Sequence, residues 1–116
     1  MSTVSEGDRK GRATMNAAWG WMPLWKLRSG RFAGWRTKDG QLYDDDGAHV
    51  GYFVNEIAYL NDGRAIGEIC NERWLGKRET ATYPVGGRWW THQSRDAARL
   101  PDRNGMPLLG WVDPEL

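Results

Sequence analysis

The amino-acid sequence repeats one short phrase at intervals of 17 and 16 residues, and this repeat limits the folds open to the chain. Each phrase places two glycines four residues apart, first at positions 30, 47 and 63 and then at 34, 51 and 67. A second series of turn residues, Asp39, Asn55 and Asn71, lies about halfway between the phrases. Turns about eight residues apart have the spacing of β-hairpins. The repeat therefore predicts an all-β fold of repeated antiparallel hairpins with a period of about 16 residues.

The residues at and between these turns support the prediction. Asp-Gly pairs occur at 39–40, 46–47 and 62–63, and glycine there supplies the positive φ that tight hairpin turns require. The stretches 50–54 and 66–70 are rich in β-branched and aromatic residues, which favour strands. A looser fourth phrase lies at 104–111. The chain is expected to form a meander of short strands.

Alternation along each strand assigns the side chains to two faces. The residue before the second glycine and the residue after it then share one face, which carries Ala33, Val50, Ile66 and Leu109 together with Trp35, Tyr52, Glu68 and Trp111. The second glycines lie on the opposite face with Arg36, Phe53, Ile69 and Val112. Glycine inside a strand marks a close backbone approach or a bend. We therefore expect Gly34, Gly51, Gly67 and Gly110 to crowd together near a pseudo-symmetry axis.

The domain organisation follows from composition and spacing. Residues 1–14 are small, polar and charged, which predicts a disordered tail, and 15–116 suits a single β-repeat domain. Gly63 and Gly105 are 42 residues apart, about 26 more than one period, which predicts an insertion at about 76–100. Within it, 88–92 is predicted to be an extra strand and 94–100 one or two helical turns.

Charge and cysteine content bear on the compartment and on the class of partner. Sixteen basic and fifteen acidic side chains nearly cancel, whereas nucleic-acid binders usually carry a basic excess. Cys70 is the single cysteine, which favours a reducing compartment. No stretch has the apolar length of a signal peptide or a membrane span. A cytoplasmic protein without a membrane partner is expected.

The phrases at 42–52 and 58–67 resemble the repeated unit of the four-fold beta flower proteins, Tyr-Asp-x-Asp-Gly-x-x-Ile-Gly. The resemblance covers 29–76 well and 103–112 loosely. It implies β-hairpins arranged about a pseudo-four-fold axis in a bacterial family without an established activity, so it brings no functional residue to this chain. The long insertion and the tryptophan-rich lead-in depart from the family pattern.

Residue patterns for catalysis or metal binding are weak, and no catalytic residue, cofactor or metal ligand is predicted. An EF-hand loop with Gly47 at its sixth position would need acids where Leu42 and Phe53 stand, so Asp44, Asp45 and Asp46 are interpreted as a turn. The candidate ligands His49, Cys70 and His92 lack a short metal-binding spacing. Ser94 has no nucleophile-elbow motif around it.

Binding through aromatic side chains is the favoured function. Trp89 and Trp90 are consecutive, so in a strand they point to opposite faces, and one is expected to be exposed unless the insertion covers it. We predict a non-enzymatic interaction or structural module that meets a protein partner through candidate binding residues Trp35, Arg36, Trp89, Trp90 and Trp111. Edge strands also favour self-association into a homo-oligomer.

Two other functions remain open. The basic stretch 26–38, interleaved with Phe32 and Trp35, has the composition of a single-stranded nucleic-acid surface. It also has the composition of a charged edge strand. A small enzyme or carbohydrate binder would instead have a site between the insertion and the hairpins. Nucleic-acid binding would weaken steeply with salt, and an enzyme or carbohydrate site would show a pocket with convergent polar groups.

Overall fold

The computed structural model describes residues 21–91, 93–95, 98–106 and 108–116. The predicted tail at 1–14 lies outside this range. Eight strands occur in the described residues: β1 (Met22–Lys26), β2 (Phe32–Arg36), β3 (Gln41–Asp44), β4 (His49–Val54), β5 (Ile57–Leu60), β6 (Ala65–Cys70), β7 (Trp74–Arg78) and β8 (Trp111–Val112).

The first seven strands form a closed, barrel-like sheet. Each pairs antiparallel with the next, and β1 closes the ring by a parallel pairing with β7 at Trp25–Trp74 and Lys26–Leu75. The predicted all-β fold of repeated hairpins is confirmed. β2–β3, β4–β5 and β6–β7 are three consecutive hairpins, and each corresponds to one copy of the sequence phrase. In the described residues, no helix has the length and apolar character needed to cross a membrane.

The predicted turn chemistry is also present. Gly40, Gly47 and Gly63 have φ values of 84°, 85° and 95°, and Asn55 and Asn71 have φ values of 57° and 52°. These left-handed conformations favour glycine and tolerate asparagine. The turn residues therefore account for the hairpin spacing seen in the sequence.

The predicted assignment of faces was partly wrong, because the pairings β1–β2, β3–β4 and β5–β6 each contain a bulge. Leu24 pairs with Gly34 while Trp25 pairs with Phe32, so Ala33 is an additional residue on its strand. Val50 and Ile66 are the additional residues at the equivalent positions of β4 and β6. A bulge interrupts the two-residue alternation. Ala33 and Ile66 consequently join the cluster of Leu24, Leu42, Phe53, Ala58 and Leu75 rather than the face of the aromatic residues.

The strand glycines do approach other backbone closely, but not as expected. A Cβ on Gly34, Gly51 or Gly67 would collide with a carbonyl oxygen of the following strand, at Tyr43, Tyr59 and Gly76 respectively. Around Gly110 there is open space. The predicted crowding of four glycines about one axis is therefore wrong, since each close contact lies within a single hairpin.

A second cluster covers part of the outside of the sheet with aromatic side chains. Trp25, Phe32, Trp35 and Tyr43 are buried there, with Trp21, Trp74 and Leu100 packed against them. Phe32 lies edge-on to Trp25 and to Trp35, with ring centroids 5.5 and 5.3 Å apart. The tryptophan content of the chain thus supplies a second packed layer as well as surface residues.

The fourth phrase does not form a hairpin of the ring. Its last residues belong to β8, which pairs with the end of β7 at Lys77–Val112 and Arg78–Trp111. The described residues of 79–110 contain no strand or helix, so the extra strand predicted at 88–92 and the helical turns predicted at 94–100 are not formed by the described residues there. We call residues 83–106 the strap.

The strap crosses the turns that precede β2, β4 and β6. Its backbone N–H groups donate to the carbonyl groups of three turn glycines in reverse chain order: Gly86 to Gly63 (2.8 Å), Arg95 to Gly47 (2.8 Å) and Arg103 to Gly30 (2.7 Å). A Cβ on any of these turn glycines would collide with a strap carbonyl oxygen. Isolated hydrogen bonds at separate turns, in place of a continuous ladder, explain why this segment is not a strand.

Candidate functional site

The strap and the β5–β6 turn form the walls of an open depression, which we call the tryptophan cleft. It has a volume of about 750 Å³ and is lined by Asn61, Asp62, Arg88, Trp89, Trp90 and Thr91. The turn supplies the first two of these residues and the strap supplies the other four. The cleft therefore lies where the strap contacts the turn between the second and third hairpins.

Trp89 is fixed in place by the strand surface beneath it. Its backbone N–H donates to the Asn61 carbonyl oxygen at 2.8 Å, and its ring centroid lies 4.9 Å from that of Tyr52. The Tyr52 hydroxyl donates to the Gly87 carbonyl, and Tyr52 stacks on Tyr59 at 5.2 Å. This aromatic stack holds the strap and leaves Trp89 45% exposed.

Gly86 allows this close contact between strap and strand. A Cβ there would lie 2.7 Å from the Tyr59 ring and would collide with the Tyr52 hydroxyl. The neighbouring Gly87 has open space around it. Packing therefore requires glycine at position 86 but not at position 87.

Trp90 projects away from this anchored segment and is 86% exposed. Since large apolar side chains are usually at least half buried, an indole in this position is a candidate contact residue. One of the two tryptophans was predicted to be exposed; both are, Trp89 at 45% and Trp90 at 86%.

The cleft carries one fixed negative charge and one positive charge. The pKa of Asp62 is held below its usual value, first by the Arg64 backbone N–H at 3.0 Å and next by the Arg64 side chain at 2.9 Å. The positive charge of Arg88 acts in the same direction. Asp62 is consequently a carboxylate at neutral pH, and its ion-pair partner is Arg64, which also pairs with Glu115 at 3.3 Å.

A network of polar side chains extends from the cleft into the protein interior. The Asn61 side-chain amide lies 3.4 Å from both His49 Nδ1 and Thr91 Oγ1. His49 Nε2 is 2.8 Å from Gln41 Oε1, and these two side chains are 5% and 7% exposed. The network orients Asn61 from below, so the floor of the cleft is defined by buried groups.

The other candidate binding residues lie outside the cleft. Trp35 is 2% exposed and belongs to the outer aromatic layer. Arg36 pairs with Glu56 at 3.6 Å and lies over the Phe53 ring. Trp111 is half-buried under the Arg78 guanidinium, 5.3 Å from its ring centroid. The structure brings Trp89 and Trp90 into one site, and the other three candidates are engaged in packing.

The basic stretch 26–38 makes some contacts within the chain. Lys26 Nζ donates to the Leu116 carbonyl at 2.7 Å, and Arg28 Nη1 lies 3.4 Å from the Trp111 carbonyl. Arg31 and Lys38 are exposed. Arg28 is exposed as well, so three of the five cations in the stretch remain open to solvent.

The acidic stretch at 44–46 has the geometry of a turn. Asp44 Oδ1 accepts the backbone N–H groups of Asp46 and Ala48 at 2.9 and 3.0 Å. Asp45 pairs with Arg99 of the strap at 3.1 Å. The Asp44 carboxylate therefore stabilises the turn, and the Asp45 carboxylate attaches the strap to it. Of the other candidate ligands, His49 is in the buried network, Cys70 is partly exposed, and His92 lies outside the described residues.

Four lining residues of the cleft were not among the predicted binding residues: Asn61, Asp62, Arg88 and Thr91. Asn61 and Asp62 belong to the repeated turn phrase, where their composition is explained by turn formation alone. The sequence carries no signal for which turn the insertion returns to. Comparisons with family models, curated proteins and solved structures find no match for this chain.

Proposed function

We propose that this chain is a non-enzymatic interaction module that recognises its partner through the tryptophan cleft. The observation that carries the proposal is the 86% exposure of Trp90 on a segment held in place by Trp89 and Tyr52. An exposed indole on a fixed backbone contributes contact area with little loss of conformational freedom on binding.

A protein is the partner class expected from the sequence, and the cleft has features that suit it. Tryptophan and arginine are enriched among the residues that dominate protein interfaces, and Arg88 and Trp90 both line the cleft. The proposed location is the cytoplasm, on the basis of the single cysteine.

The alternative of a nucleic-acid-binding module has less support. It relies on Arg28, Arg36 and neighbouring cations, and both of these arginines make contacts within the chain. Binding of this kind would fall by orders of magnitude between low and moderate salt. A salt titration of any partner found therefore separates the two functions.

The test uses three immobilised baits: the wild-type chain, Trp90→Ala and Val85→Ala. Val85 is an 88% exposed apolar residue of the same strap outside the cleft, so it is the matched control. We expect a partner to be retained by the wild type and by Val85→Ala but lost from Trp90→Ala. Direct titration with the purified partner should then show at least a tenfold loss of affinity, about 1.4 kcal/mol.

Thermal melts of all three proteins establish that they are equally folded, as expected for exposed positions. Equal retention of every captured protein by Trp90→Ala and by the wild type contradicts the proposal.

A further inference from the structure

The tryptophan cleft combines one exposed aromatic face with several polar groups of different kinds. Trp90 offers its ring to solvent, and the surrounding groups are a carboxylate, a guanidinium, an amide and a hydroxyl, from Asp62, Arg88, Asn61 and Thr91. The face of an indole carries partial negative charge, so it attracts the weakly positive C–H groups on one side of a sugar ring. Polar groups beside the aromatic ring then face the hydroxyls at the edge of the sugar.

The polar groups match a ligand that both donates and accepts hydrogen bonds. A carboxylate only accepts and a guanidinium only donates, whereas each hydroxyl of a sugar does both. Hydrogen bonds with one charged member are stronger than neutral ones. Arg88 can therefore donate to one hydroxyl of a sugar ring. Asp62, whose two oxygens each accept one hydrogen bond from Arg64, can accept from a neighbouring hydroxyl with its remaining lone pairs.

Charge favours a neutral ligand. Asp62 and Glu115 both pair with Arg64, and Arg88 lies near Asp62, so two carboxylates and two guanidinium groups balance at this edge of the cleft and leave no excess of either sign to attract a phosphate or a polyanion. A charged ligand would leave Asp62 or Arg88 facing a like charge. A neutral polyhydroxylated ligand avoids this repulsion.

The volume of the cleft suits a small ligand or a small group carried by a larger partner. A volume of about 750 Å³ falls within the range of small-molecule sites, roughly 300–1,000 Å³. A sugar of one to a few rings covers the exposed face of Trp90 without needing further surface.

We infer that the tryptophan cleft binds a neutral carbohydrate, with one sugar ring stacked on Trp90 and its hydroxyls bound by Asp62 and Arg88. The inference rests on the proposed function, because it takes the cleft to be the recognition surface. It goes further by naming the chemical class of the ligand.

The experiment screens the full chain against immobilised neutral oligosaccharides of glucose, galactose, mannose, xylose and N-acetylglucosamine, with heparin as a polyanion control. Calorimetry then measures the best oligosaccharide against the wild type, Trp90→Ala, Arg88→Ala and Val85→Ala. We expect Trp90→Ala to lower the affinity at least tenfold, about 1.4 kcal/mol. Arg88→Ala should lower it several-fold, and Val85→Ala should not change it. The wild-type affinity should also be the same at low and high salt, since the ligand is neutral.

The outcomes separate the two claims. Oligosaccharide binding that Trp90→Ala leaves intact overturns the inference, because the sugar then lies elsewhere. If no neutral oligosaccharide binds but a protein is captured and lost with Trp90→Ala, the carbohydrate inference is wrong and the proposed function stands. If neither an oligosaccharide nor a Trp90-dependent protein is found, both are wrong. Binding of heparin alone overturns the inference in favour of a polyanion.

Discussion

The hairpin ring and the strap are held together by different interactions. In the ring, continuous pairing of neighbouring strands surrounds a cluster of buried aliphatic side chains. The strap makes single backbone bonds to separate turns and packs on aromatic rings at Trp25 and Tyr52. The ring therefore makes the fold, and the strap places the exposed tryptophans. The turn glycines serve both, because they bend the hairpins and leave room for the strap.

Substitution of a strand glycine should have the largest effect, because it breaks the ring itself. Gly51→Val places side-chain atoms against the Tyr59 carbonyl of the paired strand, and we expect the domain to unfold. Gly87→Ala is the control in the strap, since a Cβ there meets no atom within 4 Å. Circular dichroism melts check both variants. An unchanged melting temperature for Gly51→Val contradicts the close approach.

A truncation in the inner cluster should destabilise the ring strongly but leave it foldable. Leu42 is fully buried, so Leu42→Ala should reduce the free energy of unfolding by about 2–5 kcal/mol. Val85→Ala, on the exposed surface of the strap, should change it by less than about 0.5 kcal/mol. Urea titrations of the two variants measure the difference. Similar losses at both sites would mean that the strap is as tightly packed as the ring.

A matched pair of turn glycines isolates the contribution of the strap contact. Gly40 and Gly47 have nearly the same φ, 84° and 85°, but only Gly47 is in contact with the strap, at the Arg95 carbonyl. Both alanine variants should lose about 1–2 kcal/mol from the left-handed conformation. Gly47→Ala should lose roughly 0.5–1.5 kcal/mol more, the value of a hydrogen bond.

Limited proteolysis at the strap arginines provides the second measurement for this pair. Gly47→Ala should make Arg95 and Arg99 more susceptible to trypsin, while Gly40→Ala should not. Equal stability losses together with equal cleavage rates would show that the strap contributes nothing at this turn.

The smallest expected effect is release of one strap contact by acid. Asp102 accepts the Phe32 backbone N–H at 2.8 Å and pairs with Arg99 at 3.0 Å. The Phe32 N–H, followed by the Arg99 side chain, lowers the pKa of Asp102 in the folded protein. A lowered folded pKa means that the stabilisation is fully present above the ordinary value of about 3.9. It is lost as the pH falls through the folded value.

The Phe32 amide resonance reports this step in an acid titration below about pH 4. In Asp102→Asn the carboxamide oxygen still accepts the N–H but does not titrate, so the step should vanish. Persistence of the step in that variant would assign it to another group.

Much of the ring could be read from the sequence, because its signals are local. Asp-Gly and Asn at regular spacing specify turns, and the residues between them favour strands. The faces were assigned incorrectly because Ala33, Val50 and Ile66 are bulged. A bulge depends on how two strands pair, and neither strand alone records it.

The sequence by itself determined the hairpin period, the all-β class and the presence of two adjacent tryptophans in an insertion. Only the tertiary structure decided that the strap crosses the turn glycines in reverse order. Only the tertiary structure also decided the position of the tryptophan cleft, which Trp90 lines together with Asn61 and Asp62. The physical reason is range: turn and strand preferences act between neighbouring residues, whereas the strap is positioned by contacts between residues more than 20 positions apart, as at Gly63 and Gly86.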